Sequence, residues 1–377
     1  MVVAILNILT IGFTAFYSAA LLFLRRGWDG LPLNEADDKV PVTSVTVVIA
    51  ARNEEKNIGA TIQDLMEQDY PFDLLEVIIV NDHSTDDTGG VVRSFESRGV
   101  RLIEFQESQP LNSYKKKALS KAIAAARGEL IVATDADCRM GRGWLKAMVG
   151  EYEGRSLLLV SGPVAFDQER NLFERLQTLE FLYLIGLGAA SIGNGRPSTC
   201  NGANLAYRRD VFFELGGFSG IDDLASGDDE LFLHKVAEKY PERIGFCKKR
   251  EAIVTTQAKE TLQSFISQRT RWASKSTRYK NKWVVFLGVS IWLFNVFLVC
   301  SLVAALAGVE TGNVFIGCFL VKITIEFVFL LPVCRFTNRF SYLKLLPLLS
   351  VLHVFYLIYI GVAGNSGKYQ WKGRQVK

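Results

Sequence analysis

Apolar and polar positions are segregated along the chain. The two ends are nearly uncharged, and most Asp, Glu, Lys and Arg lie between Arg25 and Lys282. Residues 2–24, from Val2 to Leu24, carry no charge. A helix of that length crosses about 30 Å of hydrocarbon at about 1.5 Å per residue. Three more apolar runs, 283–307, 313–334 and 342–363, close the chain. The pattern predicts an N-terminal transmembrane helix over 2–24 and a C-terminal transmembrane region over 283–363 of about three helices.

The middle of the chain has a different rhythm. Val45–Ala50, Val77–Val80, Arg101–Phe105, Leu130–Thr134 and Leu157–Val160 are short runs rich in Val, Ile and Leu. Such near-continuous runs predict strands covered on both faces. Between them, Lys56–Gln68, Asp86–Arg98, Tyr114–Arg127 and Gly143–Tyr152 carry a helical period. Strand–helix alternation predicts an α/β domain on a mostly parallel sheet. Ligands of such sheets sit at the carboxyl ends of the strands.

Charge refines the membrane picture. The start of the chain is uncharged and Arg25-Arg26 follow the first apolar run. That order fits an uncleaved anchor rather than a signal peptide. Arg25-Arg26, and Lys275, Arg278, Lys280 and Lys282 before the second run, place the middle domain on the cytoplasmic side of a cell (inner) membrane, in a multi-pass protein. Arg335 and Arg339 put the next turn inside too. Four spans would leave the tail outside, yet Lys368, Lys372, Arg374 and Lys377 make it basic, so these two indications disagree. Leu176–Gly193, carrying Glu180, reads as a helix lying at the interface. Lys322 and Glu326 share one helix face, with Asn295 and His353 in neighbouring runs. They form either an ion pair that holds the bundle or the lining of a path for a polar head group.

Net charge is +4 and no basic stripe with interleaved aromatics occurs, which excludes a nucleic-acid partner. The six Cys are scattered without a CxxC, as small buried hydrophobes in a reducing compartment are. No GxGxxG or P-loop follows a strand.

Three acidic clusters do follow strands: Asn53-Glu54-Glu55, Asn81-Asp82-His83-Ser84-Thr85-Asp86 and Asp135-Ala136-Asp137. Singly, these are turn and helix-capping residues. Converging on one sheet edge, they repel unless a cation or ligand donors lie between them. Asp135 and Asp137 flank one residue, so alternation sends both the same way. Two hard oxygen ligands suit Mg²⁺ or Mn²⁺ gripping a diphosphate. Asp82 is placed to accept hydrogen bonds from a base or ribose, and Lys115 adds a positive contact. Downstream, Gly227-Asp228-Asp229-Glu230 opens a helix, Leu231–Lys239. These acids either favour the positive end of the helix or supply a general base. Asp229 is the candidate base for removing an acceptor proton, with direct displacement and inversion at an anomeric carbon. Gln268, Arg271 and Trp272 share a helix face before the second apolar run. They form a membrane-interface belt, or a clamp in which Arg271 meets a diphosphate and Trp272 a sugar ring.

Taken in order, these motifs resemble the family 2 glycosyltransferases of GT-A fold, in the membrane branch related to cellulose, chitin and hyaluronan synthases. The resemblance covers roughly residues 42–275 plus the flanking spans. It rests on Val47–Glu55, Asp82 in its NDHSTD run, Asp135-Ala136-Asp137, Cys200–Arg208, Gly227-Asp228-Asp229 and Gln268–Trp272. It implies a GT-A domain over 42–275. Ala50, Arg52, Glu54, Asp82, Lys115 and Asp135 are implied nucleotide-sugar contacts, Asp137 a metal residue and Asp229 the base. Asp228, Gln268, Arg271 and Trp272 are implied contacts of diphosphate or acceptor. The chain departs from the family where Ala50 replaces a common Pro, Lys115–Ser120 a KAGALN run, and Gly227-Asp228-Asp229 a Thr-Glu-Asp.

The implied reaction moves a sugar from a nucleotide-diphospho-sugar, with a UDP-sugar the expected donor, to a lipid-linked or glycan acceptor. The QxxRW pattern of Gln268–Trp272 favours a processive polysaccharide synthase. The small membrane part favours single transfer, because a polymer channel needs many walls. A catalytically inactive sugar-nucleotide-binding subunit would not need Asp82, Asp137 and Asp229 together. A nucleotidyltransferase would not need the Gln268–Trp272 clamp.

Overall fold

The computed structural model describes residues 1–32, 40–107, 111–364, 369–371 and 374–376. Lys368, Lys372 and Lys377 of the basic tail lie outside them. In chain order the elements are α1 (Val2–Gly30), β1 (Val45–Ala51), α2 (Ile58–Met66), β2 (Leu75–Asp82), α3 (Thr88–Arg93), β3 (Val100–Phe105), α4 (Tyr114–Ala125) and β4 (Leu130–Ala133). There follow β5 (Arg139–Met140), α5 (Trp144–Arg155), β6 (Leu159–Ser161), β7 (Val164–Asp167), α6 (Leu172–Gly193), β8 (Leu205–Arg208), α7 (Arg209–Glu214) and α8 (Glu230–Lys239). The chain continues with β9 (Ile244–Phe246), β10 (Val254–Gln257), α9 (Leu262–Ala273), α10 (Lys282–Leu306), α11 (Gly312–Phe336) and α12 (Leu346–Ala363). The chain divides into a sheet unit (Gly30–Gln168, Ser191–Ala258, Lys368–Lys377) and a helical unit (Met1–Asp29, Glu169–Ala190, Lys259–Gly367).

The sheet unit is built on a 7-stranded sheet of order β3-β2-β1-β4-β8-β6-β9. Val45, Val47, Val48 and Ile49 of β1 and Val77–Val80 of β2 are buried, as strands covered on both faces must be. β1 pairs in parallel with β2 and with β4, the register setting Ala51 opposite Asn81 and Val48 opposite Ala133. The carboxyl ends of these three strands therefore meet at one edge. β8 alone runs against its neighbours, so its first residue, Leu205, lies opposite Ala133 at that same edge. A second sheet, β5-β10-β7, is joined to the first by Asn204, which is wholly buried. Its Nδ2 donates to the carbonyls of Pro163 and Ala252, both at 2.8 Å, and its Oδ1 accepts from Trp144 Nε1 at 3.0 Å.

The expected strands are present, with ends shifted by one or two residues. The expected helix over Asp86–Arg98 is shorter. It ends at Arg93 and resumes as a 3₁₀ turn, Glu96–Arg98, because Gly99 takes a left-handed φ of 92° and stops it. β8, β9 and the second sheet have no counterpart in the hydrophobic pattern.

The helical unit contains α1, α6 and α10–α12. Among the described residues five helices are long and apolar enough to cross a membrane, α6 among them. α1 runs past the expected end at Leu24 to Gly30. Arg25 stays in the helix, paired with Asp29 at 2.7 Å and donating to the carbonyl of Val328 at 2.8 Å. α6 differs from an interfacial helix, because 83% of its apolar window is buried. Its polar residues are satisfied inside the unit: Gln177 bonds to Lys259 and Glu180 to Arg269. Lys322 and Glu326 form the ion pair of the first reading, each at most 2% exposed. Glu326 also accepts from Tyr17 at 2.7 Å and Ser350 at 2.6 Å, which ties α1, α11 and α12 together. Buried charge in apolar surroundings persists when paired and hydrogen-bonded in this way.

Candidate active site

The edge where β1, β2 and β4 end, and β8 begins, gathers most of the residues singled out above. After β1, Asn53 takes a left-handed φ of 52°, a conformation Asn tolerates. Its Oδ1 accepts from Thr85 N at 2.8 Å, and its own N–H donates to Ser84 Oγ at 3.0 Å. Glu54 N donates to Thr88 Oγ1 and Glu55 N to Asp86, while Asp87 N returns a bond to Glu55. The turn after β1 is thereby locked to the turn after β2. Much of the acidity there serves this lock. Asp86 accepts from Thr88 N and Thr88 Oγ1, a turn bond just ahead of α3, whose N-cap residue is Asp87. Burial alone would raise its pKa. The hydrogen bonds from Thr88 and Glu55 outweigh that and leave it lowered.

Glu54 accepts from Asn57 Nδ2 at 2.8 Å. Arg52 reaches across from the β1 turn and donates to the carbonyls of Asp82 and His83, at 3.2 and 2.9 Å. Asp82 is 1% exposed, and its Oδ1 lies 2.7 Å from His83 Nδ1. His83 Nε2 accepts from Glu107 N at 2.9 Å. That bond assigns the ring proton to Nδ1, which donates to Asp82. Ala50, the last residue but one of β1, lies opposite Val80.

Lys115 settles which of the three consecutive lysines faces the acids. Its Nζ lies 2.9 Å from Asp135 Oδ1 and 3.1 Å from Asp228 Oδ2. Burial works to depress its pKa, but the carboxylates of Asp135, Asp228 and Asp229 prevail and raise it. Lys116 points elsewhere. It is 1% exposed and donates to the carbonyls of Ile221, Leu224 and Ser226, at 2.5, 2.8 and 2.7 Å. Lys117 is exposed.

Asp229 caps α8, one oxygen accepting from Glu230 N at 2.6 Å and the other from Gly202 N at 3.1 Å. Gly202 is brought there by β8, and Thr134 Oγ1 fixes the approach by donating to Ala203 O at 2.8 Å. A Cβ on Gly202 would stand 3.3 Å from Asp229 Cβ and 3.4 Å from Asp228 Oδ2, so it would press on both aspartates. Gly227, with φ 88°, makes the turn that leads into the two aspartates. Asp135, Asp137 and Cys138 offer ligand atoms within 4.8 Å of one another. Cys138 is 1% exposed, and burial together with Asp135 and Asp137 pushes its thiol pKa up, so it stays protonated. The donor set is therefore two carboxylates, one of which Lys115 already holds.

The comparisons with known proteins follow this geometry. The model of glycosyl transferase family 2 matches residues 46–216. YdaM of Bacillus subtilis, described as a probable glycosyltransferase, is 31% identical over 235 residues, 61% of this chain and 54% of that one. Residues 46–216 form a family 2 glycosyltransferase domain. The chain spans about half the length of YdaM and of several other curated relatives. The 4,4'-diaponeurosporenoate glycosyltransferase of Staphylococcus aureus is 24% identical over 352 residues, 88% of each chain. The structure of a Pyrobaculum calidifontis mannosyltransferase in complex with GDP-Man and Mn²⁺ aligns over 93% of this chain and 99% of that one, with TM-score 0.60 and 22% identity. That likeness gives the family 2 domain the GT-A fold.

The sheet unit thus brings Arg52 to Asp82, and Lys115 to Asp135 and Asp228 with Asp229 beside them, at one sheet edge. Gln268, Arg271 and Trp272 lie on α9, in the helical unit. There, Arg269 Nη1 donates to Gln268 Oε1 at 2.7 Å, and the Arg269 guanidinium lies 4.3 Å from the Trp272 ring. Sequence reading passed over Arg269, His83 and Gly202 as agents, although each lay inside a quoted motif. Only their partners, distant in sequence, reveal what they do.

Proposed function

We propose that the protein is a membrane-bound inverting glycosyltransferase, with a catalytic domain over 42–275, that moves a sugar from a nucleotide-diphospho-sugar to a lipid-linked acceptor. The supporting observation is that Lys115 holds Asp135 and Asp228 on one ammonium while Asp229, beside Asp228, is fixed by two backbone N–H groups. Nucleotide-side and acceptor-side acids meet on one cation. Five apolar helices among the described residues favour the lipid acceptor.

In this reading Ala50, Arg52, Glu54 and Asp82 receive the nucleoside, with His83 holding Asp82 in orientation. Lys115 and Asp135 face the sugar-bearing diphosphate. The donor set fits a hard divalent cation, Mg²⁺ or Mn²⁺, with Asp137 as ligand and Asp135 beside it. When bound, such an ion neutralises charge on the leaving diphosphate. Asp229 takes the proton from the acceptor hydroxyl. The freed oxygen bonds to the anomeric carbon as the bond to the diphosphate breaks on the opposite face, which inverts the centre. Gln268, Arg271 and Trp272 belong to the acceptor and diphosphate contacts. The domain faces the cytoplasm from the inner membrane.

The test is transfer by the full chain from a panel of radiolabelled nucleotide sugars, UDP-sugars first, to a membrane lipid extract. Asp229→Asn should lower turnover by about 10³-fold with donor binding kept. Unchanged turnover in that variant refutes the assignment.

A further inference from the structure

One cleft of the helical unit is unrelated to the carboxylate site. It has a volume of about 270 Å³ and is lined by Leu172 and Arg175 of α6, and by Ser341, Tyr342, Lys344 and Leu345 of the segment between α11 and α12. Arg175 and Lys344 approach it from different elements, and both are exposed. Among the described residues their side chains make no ion pair or hydrogen bond. The nearby acids are committed elsewhere. Glu169 pairs with Arg339 at 3.2 Å and accepts from Thr178, and Glu174 pairs with Arg170 and accepts from Asn171. Among the described residues Arg175 and Lys344 thus line one cleft as two cations without an ion pair of their own, and Glu169, which reaches the lining at Tyr342, is already paired with Arg339. The Ser341 hydroxyl supplies a further donor. Beside these polar groups stand the apolar side chains of Leu172, 50% exposed, and Leu345.

We propose that this cleft binds the phosphate of an anionic membrane phospholipid, which Arg175 and Lys344 grip while its acyl chains lie against Leu172 and Leu345. The chemistry is a phosphate between two cations, at the end of helices long enough to cross the bilayer. A free phosphate would use the cations and leave the apolar rim uncovered. This binding is independent of the transfer reaction and is measured without it.

The full chain in mild detergent is titrated with fluorescent phosphatidylglycerol, with phosphatidylcholine of the same chains, and with inorganic phosphate as competitor. Phosphatidylglycerol should bind tighter than phosphatidylcholine by roughly tenfold or more. Arg175→Gln/Lys344→Gln should remove that preference, while Arg175→Lys/Lys344→Arg should keep it and so separates lost charge from lost fold. Lys56→Gln/Arg101→Gln, the same charge removed from the sheet unit, should leave the preference intact. Equal loss in that control, or a preference surviving Arg175→Gln/Lys344→Gln, overturns the site. Inorganic phosphate binding as tightly as the lipid overturns its lipid identity.

Discussion

The ammonium of Lys115 lies 3.1 Å from the carboxylate of Asp228, although one opens α4 and the other sits just before α8. The same Nζ donates to Asp135. Lys115 thus offsets the mutual repulsion of carboxylates from the two halves of the domain. Lys115→Met is expected to lower kcat/KM by about 10²-fold with little change in unfolding temperature. Lys116→Met should do the reverse. It strips three buried carbonyls of their donor and should cost on the order of 3 kcal/mol of stability, read by thermal unfolding. Equal effects of the two variants on activity would contradict the division of labour.

Metal dependence follows from the donor set. Chelation should abolish transfer, and Mn²⁺ or Mg²⁺ should restore it. Asp137→Asn should raise the metal concentration for half-maximal activity by at least about tenfold, since a hard cation loses a charged oxygen ligand. Full activity in chelator would remove the ion from the scheme. The neighbouring thiol, Cys138, is buried and held protonated, so Cys138→Ser should leave the metal requirement unchanged.

Asp86 predicts a pH signature. Its folded pKa is lowered, so its contribution to stability is complete above the unfolded carboxyl value, about 3.9. The contribution is lost as pH falls through the folded value. Asp86→Asn should therefore destabilise the protein at neutral pH, and its difference from wild type should shrink below about pH 4. Melting curves across that range decide it, and a difference that grows on acidification would reverse the sign. Lys115 behaves oppositely. Its pKa is raised, so its contribution is present below the unfolded lysine value and fades only as pH rises through the higher folded one. Alkaline loss of activity below that point then belongs to another group.

What the sequence showed was local. β1, β2 and β4 are near-continuous apolar runs bounded by polar turns, and they were legible because their central residues are buried on both faces. β8 and β9 have four and three residues, too short to leave a period. They are strands because Leu205 finds Ala133, a pairing no local window holds. The site divides the same way. Asp135, Asp137 and Asp229 stood out by type and spacing. The choice of Lys115 over Lys116 needed the carbonyls of Ile221, Leu224 and Ser226. The polar side chains of α6 find partners on α9 and the segment before it, so an interfacial helix was the wrong expectation.

Arg269 provides the test of that packing. It is 2% exposed, Glu180 is 3% exposed, and the guanidinium contacts both carboxylate oxygens. A buried charge without its partner is far costlier than no charge at all. Arg269→Met alone should thus cost about 3–5 kcal/mol. Arg269→Met/Glu180→Leu, which removes both charges, should recover most of that loss. The double variant then separates folding from function. Its Gln268 has lost the Nη1 donor and its Trp272 the stacked cation, so a folded protein with slow transfer would show that Arg269 positions both. Equal stability of the single and double variants would mean the pair is not buried as described. A double variant with full transfer would leave Arg269 a purely structural residue.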